Sequence, residues 1–347
     1  MRFIRPLFLF LFFAVSACAP EVHRAYIDMT ASGSIIWPGK PEKPRIKYLW
    51  TLQNVGYEVK DGRMEVLDVV AGTDVGATTD RRRSKMLVMP QGLFADEKRL
   101  YVADPGASRV TVVDRQSLEV RHILEAGGDL LQYPRGIVAA AAGTIYVTDI
   151  MTKKVLAFSP SLDYLFSFEG DFLRPEGLAI DSVRGRIYVV DTDAHMVFVY
   201  DMAGKRRGTI GRRGDGDGEF YFPTYAFADA QGTLYVTDFM NFRVQVFGPD
   251  GAFLTRIGTL GDSYDAVEKP KGVAADTEGN IYVVDGAKDM VKIFNREGRL
   301  LLFFGEQGHG YGDFYLPAGI YIDNRNIIYI ADSINMRIQA FQFLGGN

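Results

Sequence analysis

The chain has one cysteine in 347 residues, Cys18, so no intramolecular disulfide can form. Histidine is scarce too: His23, His122, His195 and His309 are the only four. Catalytic zinc commonly takes three protein ligands, often histidines. Here one histidine falls in an N-terminal spacer and another in an outer strand, which argues against such a site. There is no Gly-x-Ser-x-Gly elbow and no phosphate-binding loop. A basic excess is also missing: 39 Lys and Arg stand against 43 Asp and Glu, a net charge of −4. That balance argues against nucleic-acid binding, which draws on clustered positive charge. The one early apolar run, Leu7 to Val15, is too short to cross a bilayer as a helix. Residues 90–343 contain no long stretch of helical amphipathic period, which argues against α/β folds.

What is present is a repeat. Tyr-Val-x-Asp, or a close variant, ends at Asp104, Asp149, Asp191, Asp238, Asp285 and Asp332, with spacings of 42 to 47 residues. A period in this range marks a repeat architecture. Each unit opens on a proline near a glycine or small residue, such as Pro90-Gln-Gly92, Pro134-Arg-Gly136 and Pro270-Lys-Gly272; in the fourth unit it reads Pro223-Thr-Tyr225. Short runs rich in β-branched and aromatic residues follow, separated by Asp, Asn and Gly, the pattern of strands joined by tight turns. Many of these strands are nearly continuous apolar runs, for example Ile187-Tyr-Val-Val190, so both faces of each sheet must be buried. The predicted fold is all-β: a six-bladed β-propeller of four-stranded antiparallel blades. The sixth unit lacks a fourth strand, because only Leu344-Gly-Gly-Asn347 follows its third. The run Ile46-Lys-Tyr-Leu-Trp-Thr-Leu52 is expected to supply it and close the ring beside residues 337–343. Residues 53–86, with the basic run Arg81-Arg-Arg-Ser-Lys85, then form an insertion before the six repeats of residues 87–343.

At the N-terminus, Arg2 and Arg5 precede the apolar run, which ends in Val15-Ser-Ala-Cys18. This resembles the lipobox of bacterial lipoproteins. The resemblance implies a signal peptide over residues 1–17, a lipid on Cys18 and export to the cell envelope. Ala19 after the cysteine implies the outer membrane. Residues 18–45 carry prolines at 38, 41 and 44 and read as a tether holding the propeller off the membrane.

The repeats themselves resemble NHL repeats. The pattern stands as Glu219-Phe-Tyr-Phe-Pro223, Tyr235-Val-Thr-Asp238 and Asn241-Phe-Arg-Val-Gln-Val-Phe247, and again as Asp313-Phe-Tyr-Leu-Pro317, Tyr329-Ile-Ala-Asp332 and Asn335-Met-Arg337. Relatives of this kind include lyases, lactonases, RNA-binding modules and protein-binding modules, so the resemblance leaves function open. The repeat Asp reads as loop architecture, paired with a cation five residues on: Arg109, Lys154, Arg243 or Arg337. Units three and five carry Met196 and Met290 there instead. Asp191 and Asp285 are thus expected to lack that partner, with Asp193, His195, Lys288 and Asp289 close by in sequence. Gly214-Asp-Gly-Asp-Gly-Glu219 invites a calcium reading but aligns with Gly308-His-Gly-Tyr-Gly-Asp313 as the same inter-blade turn. No metal or other cofactor is expected.

The expected function is a non-enzymatic envelope scaffold that binds a protein partner on the face carrying the long inter-blade loops. Arg212, Arg213, Tyr264, His309 and Tyr311 lie on those loops, and Asp191, Asp193, His195, Asp285 and Asp289 beside them. The alternative is a lactonase-like enzyme or ligand binder with its site at the channel mouth. That would need three or more acidic or amide groups converging there.

Overall fold

The computed structural model describes residues 22–58, 83–168, 170–261 and 263–345. Six antiparallel blades form a ring: five are four-stranded sheets, and the sixth is four strands of a seven-stranded sheet that also takes in strands of the N-terminal region. The fourth blade is representative: Pro223–Ala228, Leu234–Asp238, Arg243–Phe247 and Phe253–Ile257 pair in sequence order. Its second and third strands are buried at every position, whereas the fourth alternates buried and exposed residues. Inner strands are therefore covered on both faces by neighbouring blades, and the outer strand meets water on one side. First strands of successive blades line the axis. The loops between second and third strands share one face with the long inter-blade connections. The short turns occupy the other face.

The ring closes as the sequence predicts. The strand β3 (Ile46–Glu58) pairs antiparallel with Arg337–Phe343, Ile46 opposite Phe343 and Leu52 opposite Ile338. Ile46, Tyr48 and Leu52 are fully buried there, each worth about 1.5–3 kcal/mol.

Two expectations for the N-terminal region need correction. The closing pairs with Arg337–Phe343 are made by residues 46–52, but the strand does not stop there: β3 runs on to Glu58 and pairs beyond Leu52 with β4 (Arg83–Lys85), Asn54 opposite Lys85. The ends of the 53–86 insertion are thus strands; residues 59–82 lie outside the described region. The expected flexible tether is also largely structured from residue 22 onward. Strand β1 (Val22–Asp28) lies along β3, and β2 (Ile36–Trp37) pairs with its start. The physical reason is edge pairing: β3 alone would expose a row of backbone donors and acceptors. Packing adds to it, because the Trp37 ring sits 5.6 Å from Phe304 and 5.8 Å from Phe341. The other edge of β1 reaches blade one, where the Ala25 N–H donates to the Leu118 carbonyl at 2.8 Å. Residues 1–21, including Cys18, lie outside the described region.

Deleting residues 1–53 should leave Arg337–Phe343 as an open apolar edge. The expected result is aggregation on size exclusion and loss of a cooperative melt. A monomer as stable as the parent would show that β3 does not close the ring.

Candidate functional site

Beneath the long-loop face lie the six repeat carboxylates, all fully buried. Each accepts backbone N–H groups from the segment just before its blade's proline. Asp104 takes Val88 and Met89, at 2.9 and 2.8 Å; Asp191 takes Leu173 and Arg174, at 2.8 and 2.9 Å. Asp149, Asp238, Asp285 and Asp332 bond the corresponding residues of their own blades. This is loop architecture, since each carboxylate ties an incoming connection to the end of a second strand.

The cation pattern is narrower than the sequence suggests. Arg243 and Arg337 do pair with Asp238 and Asp332, at 2.9 and 2.7 Å. Arg109 turns instead to the Met86 carbonyl, and Lys154 to Asp129. Asp285 is not without a cation: Lys292, two residues beyond Met290, reaches it at 3.3 Å. A shift of one strand period puts the positive charge back on the same side of the sheet. Burial pushes the Asp238 and Asp332 carboxyls above their usual range, against the pull of the donors around them.

The other sequence candidates scatter. His195 and Asp289 hold equivalent left-handed loop positions, with φ of 55° and 51°. Each accepts an N–H from the next inter-blade connection: His195 Nδ1 from Phe222 at 3.0 Å, Asp289 Oδ1 from Leu316 at 2.7 Å. Burial, then the charge of Arg213, holds His195 below its ordinary pKa. Asp193 is near enough to oppose that effect. Arg212 pairs with Glu219 at 2.7 Å, and Arg213 lies over the Tyr221 ring. His309 Nδ1 meets Asn335 Oδ1 at 2.5 Å. The Tyr311 hydroxyl donates to Asp28 at 2.8 Å, and its ring packs on Tyr48. Tyr264 is 83% exposed. The structure does not gather these residues into one pocket.

The axis gathers a different set. The residue after each unit's proline forms a ring: Gln91, Arg135, Glu176, Thr224, Lys271 and Ala318. Next comes glycine in five blades, and close approach requires it. A Cβ on Gly92 would stand 2.0 Å from the Arg135 carbonyl oxygen, and one on Gly319 2.0 Å from that of Gln91. Blade four has Tyr225 instead. Its hydroxyl donates to the Gln91 carbonyl of blade one at 3.2 Å, so the buried side chain crosses the axis to the opposite blade. Arg135 lies over the Tyr225 ring at 5.7 Å and 3.3 Å from Glu176, which also pairs with Arg174 at 2.8 Å. Arg135 Nε, Glu176 Oε2 and Thr224 Oγ1 are buried without a hydrogen-bond partner among the described residues. Burial, with the charges of Arg135 and Lys269, pushes Lys271 down to about 8.

Tyr225 thus divides the channel. On the long-loop side lies the polar ring. On the short-turn side opens a cup of about 420 Å³. Leu93, Phe94, Ile137, Leu178, Phe227 and Ile320 contribute to its wall, and Asp181, Asp229, Asp276 and Asp323 stand among its lining residues on the short turns. Those carboxylates are engaged: Asp276 and Asp323 each accept two turn N–H groups and a tyrosine hydroxyl, from Tyr282 and Tyr329. Among the described residues, no group of three or more His, Cys, Asp and Glu is placed to hold a metal ion. The sequence reading missed this cup. Its signal was the one unit whose opening motif has tyrosine where five others have glycine.

Asp238→Ala would strand the buried Arg243 charge and the Tyr221 N–H. A loss of about 3–5 kcal/mol is expected, as for breaking a buried pair from one side. Chemical denaturation would measure it, and a change below about 1 kcal/mol would mean the pair does not hold the blade.

Residues 171–256 and 268–347 match a family described as a 6-bladed beta-propeller. Protein SUPPRESSOR OF QUENCHING 1, chloroplastic, from Arabidopsis thaliana is 26% identical over 182 residues, which is 42% of this chain and 17% of that protein's length. Among solved structures, an auxiliary nutrient binding protein from Bacteroides thetaiotaomicron superposes with TM-score 0.60 at 15% identity, over 77% of this chain and 71% of that one. Virginiamycin B lyase from Staphylococcus aureus superposes with TM-score 0.55 at 13% identity, over 74% and 96% respectively. At such identities the likeness concerns fold alone, and ring and relatives agree on it: this chain is a six-bladed β-propeller.

Proposed function

We propose that this chain is a binding protein, not an enzyme, and that its ligand is a small, mostly apolar molecule held in the cup on the short-turn side of Tyr225. The observation that carries this reading is the plug. An open channel would be a wet tube, whereas Tyr225 turns it into a closed-ended concavity with an apolar wall. About 420 Å³ lies in the range of small-ligand pockets, roughly 300–1,000 Å³. The acidic side chains at the mouth are committed to turn N–H groups, so they are poor candidates for general bases. The polar ring on the other side offers Glu176 and Gln91 as its acidic and amide members, short of the three that a lactonase-like site needs. The auxiliary nutrient binding proteins that share this fold agree with a binding role by analogy of architecture.

The binding unit is proposed to work after export, with lipid on Cys18 and the outer membrane as its place, as an NHL-type lipoprotein. A protein partner on the long-loop face is the second reading. The exposed Tyr264 favours it, while Tyr311, Arg212 and His309 already bind within the chain.

N-phenyl-1-naphthylamine, an uncharged apolar fluorophore, should bind saturably at one site per chain. Ala228→Trp, which fills the cup, should abolish that binding while keeping the melting temperature near the parent's. No saturable signal, or equal binding by a folded Ala228→Trp variant, would overturn the cup as the site.

Intact mass of the protein purified from membranes checks the anchor. The mature chain should begin at Cys18 with a diacylglyceryl increment. An unmodified N-terminus would remove the lipoprotein reading and leave the cup untouched.

A further inference from the structure

We propose that the seam between blades six and one is the edge of the propeller that rests on the membrane, in contact with anionic lipid headgroups. The inference rests on the lipid anchor proposed at Cys18. Its own ground is the length of chain between that residue and the fold. Strand β1 begins at Val22, so only residues 19–21 intervene. Whatever path they take, four residue steps of at most ~3.6 Å limit the separation of Cys18 and Val22 to about 14 Å. A spacer reaching residue 45 would allow the propeller to swing freely. One that ends at residue 21 does not, because the chain beyond it is paired along β3.

The location of β1 then decides which part of the propeller faces the lipid. β1 pairs with β3 on one side, the outer strand of blade six. On the other side it bridges to blade one, where Arg24 stands opposite Glu119 and the Ala25 N–H reaches the Leu118 carbonyl. His23 is near enough to His122, on the outer strand of blade one (Val120–Ile123), to lower its pKa further. The start of β1 therefore lies against the rim of the ring, away from its axis. A membrane attached there meets the rim.

The chemistry of that rim suits anionic headgroups. Arg24 and Lys85 are exposed there, with Glu119 opposite Arg24; Arg121 faces the other way and donates to the Ser161 carbonyl of blade two. The three-stranded ribbon sets Arg24, Gly56 and Arg83 in one backbone row. Basic residues near an anionic bilayer are drawn to it within about a Debye length. The cup opens along the axis on the short-turn face, so a rim-mounted propeller leaves its mouth clear.

The test uses the full-length acylated protein in lipid nanodiscs containing phosphatidylglycerol and an acceptor dye on the headgroups. With the thiol of Cys18 alkylated, a single new cysteine takes the donor dye. Glu125→Cys lies just beyond the outer strand of blade one, and Leu254→Cys on the exposed outer strand of blade four, across the ring. Energy transfer should be several-fold higher from Glu125→Cys. A flexible Gly-Ser insertion between Cys18 and Val22 should bring the two towards equality, and phosphatidylcholine discs should narrow the contrast. Equal transfer from both positions in acylated protein would overturn the rim contact and leave the anchor standing. Equal contrast in both lipids would overturn the anionic preference. Protein that intact mass shows to be unacylated would overturn anchor and rim contact together.

Discussion

The fold depends on six carboxylates that have no access to water. A buried aspartate must be supplied with donors or it will not stay ionised. Here the donors are backbone N–H groups of the connection entering the same blade. Each bond thereby fixes where an inter-blade connection ends and a first strand begins. That geometry brings the first strands so close around the axis that five glycines have no room for a Cβ. Hydroxyls add a second set of ties between neighbours: Thr148 to Glu176, Thr192 to Pro223, Thr237 to Lys271 and Ser333 to Pro90, all onto carbonyls of the next blade. Cations are optional in this scheme. Arg243, Arg337 and Lys292 join three of the carboxylates, and Asp191 holds its loop with N–H donors.

That hierarchy explains what the sequence could reveal. The period, the continuous apolar strands and the missing fourth strand of the last unit are properties of covalent order. They lead directly to the ring and to β3 as its closing strand. The packing of β1 was not legible, because Val22–Asp28 has no regular apolar alternation and is held chiefly by the edge of β3. The cation partners were only half legible for a related reason. A charge at the third-strand start and one two residues later can serve the same carboxylate, so Met290 looked like a loss until Lys292 was seen beside Asp285. His195 and Asp289 looked functional because they break the repeat. Both turn out to do the same work, holding the next connection through one N–H.

The plug in the channel was not legible because repeats direct attention to what recurs. Tyr225 does not recur. Five small residues make a tight collar, and one large one in the same register has nowhere to go but across the axis. It separates two environments that an open tube would mix. Above it, Arg135, Glu176 and Lys271 share a polar space in which burial already weighs on the lysine. Below it, aliphatic and aromatic side chains wall the cup. A single departure from the repeat thus shapes a cavity within a standard set of blades, which is how a shared architecture can come to hold unrelated chemistries.

The N-terminal segment couples closure to position. β3 completes blade six, β1 covers the edge of β3, and β1 also bonds to blade one. Three consequences follow from this single arrangement. The joint between first and last blades gains hydrogen bonds outside the standard four-strand set. An edge that could template pairing between chains is covered. The first described strand is tied to this joint at the outer side of the ring, not to the inner strands that line the channel. An anchor at Cys18, as proposed, would therefore act on the rim and leave the collar of glycines and the plug that shapes the cup in place.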